Sequence, residues 1–352
     1  MKSRILYVGN LRDGGNGVDR VAMLQSCGFE VEGFDTLPCR QGGSRLIRSM
    51  TARYQLGPQV TMLNRDLWTR AERGGYDAVL IDKGTVVKRD TLRALKRGAA
   101  KGVAMHFTPD AAFVDNRSRE FFRAIPDYDL LVTTKPFEVD AYRRAGAREL
   151  MLIEQGYGLR IDAALAKGVP DHLQSEVVFV GHCQPHYMQM LRVAAEAAPL
   201  AIWGPGWPEK VRRHPWLRDV VRGPALFGPD YARALAGAKI AIGLLSKRIP
   251  ETTTTRTFEI PAMGTMLLAE RTGDHLRLFQ EGREAAFFEG PEELTSQLQR
   301  YLGDEEARKA IARAGQEKCH SAGYSISQQF NPIIEWLRRA VGSPPQKKGL
   351  QS

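Results

Sequence analysis

Short apolar runs recur along this chain, each followed by a stretch with the three- and four-residue spacing of an amphipathic helix, and the series starts twice. Runs this short, bounded by helical segments, are the pattern of parallel strands joined by crossover helices. The first series predicts strands at Ile5–Val8, Val31–Phe34, Ala78–Ile81, Val103–Phe107, Leu130–Thr133 and Leu150–Ile153, with helices over Thr91–Ala100 and Glu138–Ala145. Gly146 is placed to stop the second of these helices. This half reads as one Rossmann-like unit. The second series predicts strands at Val177–Val180, Leu200–Trp203, Lys239–Gly243 and Met266–Ala269, and restarts the same architecture.

A chain of 352 residues has room for two such cores of roughly 150 residues each. Residues 156–174 contain Gly158, Gly168 and Pro170, lack a strong period, and read as the connector. The expectation is therefore an α/β chain with an N-terminal Rossmann-like domain over 1–171, a second over 172–336, and a disordered tail over 337–352, where apolar residues are too few to hold a fold.

Composition narrows the classes. No apolar run approaches the roughly 20 residues of a membrane-spanning helix, and Met1–Arg4 leads straight into Ile5–Val8 without the pattern of a signal peptide. A cytoplasmic location is expected. Cys27, Cys39, Cys183 and Cys319 form no Cys-x-x-Cys pair, so neither a disulfide framework nor a zinc site is indicated. The net charge of +10 suits an anionic ligand such as a nucleotide diphosphate, and it also leaves peripheral contact with an acidic membrane surface open. Nucleic acid is disfavoured, because the basic residues are spread over many helices with no interleaved aromatics.

The segment Lys247–Gly264 carries the most chemistry. If a helix opens at Phe258, the threonine loop before it presents backbone N–H groups and hydroxyls at a helix N-terminus, with Arg256 and Lys247 adding charge. Glu259 would then sit in the first turn, where its carboxylate can accept two hydrogen bonds from a ribose diol. Glu251 stands eight residues earlier. The alternative is that Arg256 only pairs with Glu259 or Glu251 at the surface while the threonines cap the helix.

The run from Lys239 to Glu270, with Ser246-Lys247, Thr255–Ala262 and Gly264, together with Gly282–Phe288, Pro291–Leu294 and Ala312–Gly315, resembles the C-terminal domain of CgeB-like, group 1 GT-B glycosyltransferases. The resemblance implies a GT-B fold, two Rossmann-like domains facing a central cleft, with a nucleotide-diphosphate sugar held mainly by the second. It gives Glu259 the ribose, and Arg256 and Lys247 the diphosphate, with Thr255 and Thr257 beside them. Glu251 is given to the sugar. The polythreonine stretch departs from the family pattern there. Gly181 and His182, after the strand Val177–Val180, fall where the family holds the donor pyrophosphate; a plain strand-to-helix turn with a solvated histidine is the other reading. Trp203-Gly204-Pro205-Gly206-Trp207 resembles the loop near the base, with Trp207 alternatively a domain-surface anchor.

In the first half, Gly14, Gly15 and Arg20 lie in a glycine-rich turn whose spacing fails the nicotinamide fingerprint, and the family places that loop at the acceptor or the donor phosphate. His106–Asp110 ends a predicted buried strand, and carboxyl strand ends of open α/β sheets face the ligand. Asp110 with His106 is the catalytic expectation; an N-cap role for Asp110 is the other. Lys135 and Tyr157 fall in blocks that match the same family and are given to the acceptor side. The function expected is transfer of a sugar, UDP-sugars favoured, to a glycan, protein or small-molecule acceptor, with no metal or other cofactor and no strand-end Asp-x-Asp to hold one. The alternatives are a non-catalytic nucleotide-sugar-binding protein, or an epimerase or phosphorylase on the same fold.

Overall fold

The computed structural model describes residues 2–13, 15–114, 116–158 and 168–342. The chain forms two compact units, one of residues up to Glu154 together with Phe330 onward, the other of Gln155–Gln329.

The first unit contains β1 (Arg4–Gly9), α1 (Asn16–Ser26), β2 (Glu30–Asp35), α2 (Leu37–Gln41), α3 (Arg45–Tyr54), α4 (Pro58–Arg73), β3 (Tyr76–Asp82), α5 (Arg89–Gly98), β4 (Ala99–Thr108), α6 (Arg119–Ala124), β5 (Leu130–Thr133), α7 (Val139–Arg144) and β6 (Leu150–Leu152). Its sheet has the order β2-β1-β3-β4-β5-β6, parallel throughout. Strands covered by helices on both faces read as continuous apolar runs, and Ile5, Leu6, Tyr7 and Val8 of β1 are all fully buried. The strand order reverses between β1 and β3, which makes their carboxyl ends the topological switch point of this unit.

The second unit contains β7 (Ser175–Val180), α8 (Pro185–Ala197), β8 (Leu200–Trp203), β9 (Val221–Gly223), α9 (Gly228–Ala236), β10 (Ala238–Gly243), α10 (Arg256–Ala262), β11 (Met266–Glu270), α11 (Gly273–Leu278), β12 (Ala286–Phe288), α12 (Gly290–Gly303), α13 (Glu305–Ser321) and α14 (Ile326–Gln329). Its sheet is also parallel, with the order β12-β11-β10-β7-β8-β9, and its switch point lies between β7 and β10. Every strand anticipated from the sequence is present. The two that escaped, β9 and β12, are three-residue strands at the sheet edges, too short to show a period.

The unit boundaries differ from the expected 172 and 336. Tyr157 already pairs with the second unit, its amide donating to the Tyr324 carbonyl at 3.1 Å and its carbonyl accepting from Ile326 at 2.9 Å. Near the other end, α15 (Asn331–Val341) belongs to the first unit. Phe330 packs on Phe107 with centroids 4.9 Å apart. Trp336 donates its indole N–H to Glu149 at 2.9 Å, and Arg338 reaches the Cys27 carbonyl at 2.8 Å. Residues 337–341 are thus helical, because Ile333, Ile334, Leu337 and Val341 form a buried stripe; the rest of the expected tail, 343–352, and the connector residues 159–167 lie outside the described residues.

Two buried polar groups correct the sequence reading of the first unit. Arg20, expected to meet a ligand, is 5% exposed and packed under the glycine turn, its Nη2 2.6 Å from Asp82 Oδ2. The Tyr7 hydroxyl donates to the same oxygen at 2.5 Å, and the guanidinium lies over the Phe107 ring at 4.9 Å. A buried pair of this kind is costly to break from one side, so Arg20 is committed to the fold. His106, expected to be catalytic, is fully buried; its ring stacks on Phe121 at 4.3 Å and its Nε2–H donates to the Lys83 carbonyl at 3.0 Å. No reacting group reaches it.

Burial holds the His106 imidazole down to about 4, below its ordinary 6.5. Above pH about 6.5 both folded and unfolded chains carry it neutral; below that, the unfolded chain takes up a proton that the folded one refuses, so stability falls as the pH drops toward 4. Urea unfolding should lose about 2 kcal/mol from this residue between pH about 7.5 and about 5. His106→Gln should flatten that slope by the same amount, and an unchanged slope in the variant refutes the assignment.

Candidate functional site

At the switch point of the second unit Arg256 spans the carboxyl ends of β7 and β10. Its Nη1 donates to the Val180 carbonyl at 2.9 Å and its Nη2 to the Leu244 carbonyl at 3.4 Å. The guanidinium also covers the Phe179 ring at 5.5 Å. Both oxygen partners are neutral, so the full positive charge of the guanidinium stays at the strand ends. Surface pairing, the alternative reading of Arg256, is not what the side chain does.

Gly181 exists to make room for this. A Cβ there would lie 2.5 Å from Arg256 Nη1 and 2.8 Å from Phe179 Cζ. Gly204, with φ +150°, approaches still closer, since its Cβ would lie 1.9 Å from the Gly181 carbonyl oxygen. That oxygen accepts the indole N–H of Trp207 at 2.8 Å. Trp207 is fully buried, so it is neither a surface anchor nor a platform for a base. His182 is exposed on the turn.

Glu259 sits in the first turn of α10, which starts at Arg256, two residues before the expected Phe258. Its Oε2 accepts the hydroxyl of Tyr231 on α9 at 2.6 Å. Burial pushes the carboxyl above the usual carboxylate range, against the opposing pull of the Tyr231 hydroxyl, the Arg256 charge and a Thr255 hydrogen bond. Tyr231 was not legible beforehand, because it stands 28 residues away on another helix with no local signal.

The remaining candidates divide. Glu251 Oε2 accepts the Ser246 amide at 3.2 Å, which ties it to the loop after β10. Lys247 is half-exposed and ion-paired with Glu270 at the end of β11. The other oxygen of Glu270 meets His186 Nε2 at 2.7 Å. Glu270 and His186 were both missed, since a strand-end glutamate and a helix-start histidine 84 residues apart share no motif. Thr257, expected at the donor, is 2% exposed and hydrogen-bonded to His275 at 2.9 Å, with the Thr254 amide on the same oxygen at 3.1 Å. It braces the loop instead of facing a ligand.

In the first unit, Asp110 is one-third exposed beyond the carboxyl end of β4 and its Oδ2 lies 2.5 Å from Lys83 Nζ. It caps no helix, as α6 takes its N-cap from Ser118. Lys83 follows β3 and holds a left-handed φ of +65°, a conformation that a residue with a Cβ adopts at a cost and that clusters at functional sites. Sequence patterning had no means of finding Lys83, whose backbone angle is set by the turn it closes. Lys135 is 5% exposed, and its charge acts on Glu138, a buried carboxylate that accepts the amides of Ala112 and Phe113 at 2.9 and 2.8 Å. It supports the loop after β4 and does not present itself to an acceptor. Tyr157 belongs to the second unit, its ring 5.5 Å from His320, and so is not an acceptor-domain residue. Gly15 precedes α1, while Gly14 lies outside the described residues. Among the described residues no group of three or more His, Cys, Asp or Glu side chains is arranged to hold a metal ion, and no helix is long and apolar enough to cross a membrane.

Residues 187–335 match the family model described as "Glycosyl transferase-like". No curated protein matches the chain in sequence. Among solved structures, HepE from Anabaena in complex with UDP and glucose superposes with a TM-score of 0.62 at 16% identity, covering 96% of this chain and 100% of HepE. Sucrose-phosphate synthase from Thermosynechococcus elongatus gives 0.63 at 14% identity, with 96% and 100% covered. A UDP-N-acetylglucosamine 2-epimerase gives 0.57 at 13% identity, with 99% and 100% covered. The chain therefore has the GT-B fold of two Rossmann-like units, and the part of it that carries Arg256 and Glu259 has the sequence pattern of the glycosyl transferase-like family.

Proposed function

We propose that this protein is a glycosyltransferase of the CgeB-like kind, which binds a nucleotide-diphosphate sugar, a UDP-sugar by preference, in its second unit and passes the sugar to an acceptor. The observation that carries the reading is Glu259 held by Tyr231 at the switch point beside an Arg256 whose charge no carboxylate neutralises at contact distance. Open α/β sheets bind nucleotides at this place. Glu259 keeps a second carboxylate oxygen to accept ribose hydroxyls, and Arg256 adds positive potential for the diphosphate as it leaves. Lys247, half-exposed and ion-paired with Glu270, is the other basic side chain given to the diphosphate. That HepE was solved with UDP and with UDP-glucose supports the choice of base.

The structural likeness to a UDP-N-acetylglucosamine 2-epimerase favours one rival, epimerisation of the sugar nucleotide. Product analysis separates the two by the configuration at C2 of the sugar, which transfer or donor hydrolysis leaves unchanged and epimerisation inverts, whether or not the nucleoside diphosphate is released.

Glu259→Ala should weaken binding of UDP or of a UDP-sugar by roughly 10- to 150-fold, the loss of a hydrogen bond to a charged group at about 1.5–3 kcal/mol. Calorimetry giving equal affinities for variant and parent refutes the ribose role. Asp110, the part-exposed carboxylate paired with Lys83, is assigned the proton from the acceptor hydroxyl. Asp110→Asn should then cut turnover at least about 100-fold with donor affinity unchanged, and a normal kcat sinks the assignment. Transfer is also assigned to side chains without a divalent ion, so activity should survive excess EDTA; abolition by EDTA with rescue by manganese overturns that part.

A further inference from the structure

The α3–α4 face of the first unit presents exposed apolar side chains among arginines. Residues 36–65 contain five arginines and no Asp, Glu or Lys. Of the nine large hydrophobic side chains exposed among the described residues, five fall between Met50 and Trp68. They are Met50, Tyr54, Leu56, Met62 and Trp68, between 39% and 58% exposed. Among the described side chains of α3 only Thr51 is buried, and none joins the hydrophobic core of its unit. Large apolar side chains grouped on one exposed face mark a surface that something covers.

We propose that this face docks on an anionic lipid bilayer. Tyr54 and Trp68 have the apolar body and polar tip that settle at headgroup depth. The arginines stand among them: Arg53 lies over the Tyr54 ring at 5.7 Å, and Arg65 shares the exposed face of α4 with Met62 and Trp68, three residues to either side. Two acids stand on α4: Asp66, which pairs with Arg65 at 3.5 Å where both are solvent-exposed and the pair is weak, and Glu72, which has Arg73 next to it on the same helix. Long basic side chains on an apolar face reach lipid phosphates while their stems stay in the interface. A second copy of the chain is the less suitable occupant, because a two-fold contact would bring the same arginine-rich segment against itself. The inference stands independently of the donor site in the second unit.

Sedimentation of the full chain with vesicles tests it. The protein should pellet with phosphatidylcholine vesicles that contain phosphatidylglycerol, stay in solution with phosphatidylcholine alone, and be released from the anionic vesicles by high salt. Replacing Arg53 and Arg65 by Glu should lower the vesicle affinity roughly 25-fold or more, at about fivefold for each arginine near the surface. Met62→Ser with Trp68→Ser should weaken binding as well while leaving the melting temperature near that of the parent, because both side chains are outside the core. Failure of the parent to pellet with anionic vesicles overturns the proposal, as does equal binding by the charge-reversed variant. A concentration-dependent dimer in light scattering that Trp68→Ser abolishes also overturns it, by assigning the face to a second copy.

Discussion

The second unit depends on one guanidinium. Where β7 and β10 diverge, Arg256 bonds the carbonyl of Val180 at the end of β7 and that of Leu244 just after β10, the latter shared with the Tyr187 hydroxyl at 3.3 Å. It does so from the start of α10, which fixes where that helix begins and therefore where Glu259 points. Gly181 and Gly204 follow from the same requirement, since any side chain at either position would enter space that the guanidinium or the neighbouring backbone already occupies. The hydrogen-bond partners of Arg256 are carbonyl dipoles, not carboxylates.

The first unit handles its switch point differently. There the buried charge is paired: Asp82 at the end of β3 receives Arg20 and Tyr7, and little net charge remains beneath the glycine turn. The exposed chemistry is displaced by one residue to Lys83, whose left-handed backbone sets its ammonium against Asp110. An ammonium and a carboxylate in contact offer a donor and an acceptor with no excess charge, which suits a hydroxyl-bearing ligand better than a phosphate. The two units thus differ at their switch points, a guanidinium held by carbonyls in one and a paired ammonium and carboxylate in the other.

Several residues that looked chemical in sequence proved to be architectural, and the reason is the same in each case. His106, Lys135 and Thr257 are polar residues near strand ends or helix starts and Arg20 lies inside α1, positions where ligand contacts and buried supports have the same local patterns. What separates them is whether a second segment covers them. His106 is closed over by Phe121 and Tyr128, and Thr257 by His275, all distant enough in sequence to leave no periodic trace.

Strand positions and the repeated α/β series were legible in the amino-acid sequence, because burial on both faces of a parallel sheet demands continuous apolar runs and short-range spacing suffices to reveal them; the roles given to Glu259 and Arg256 came from resemblance to a family, not from spacing. The strand orders, the return of α15 to the first unit, the Tyr231 and Glu270 partners and the left-handed Lys83 were decided by tertiary structure alone. Those features are pairings between segments tens or hundreds of residues apart, and a hydrogen bond or ion pair across such a separation places no constraint on the residues next to either partner.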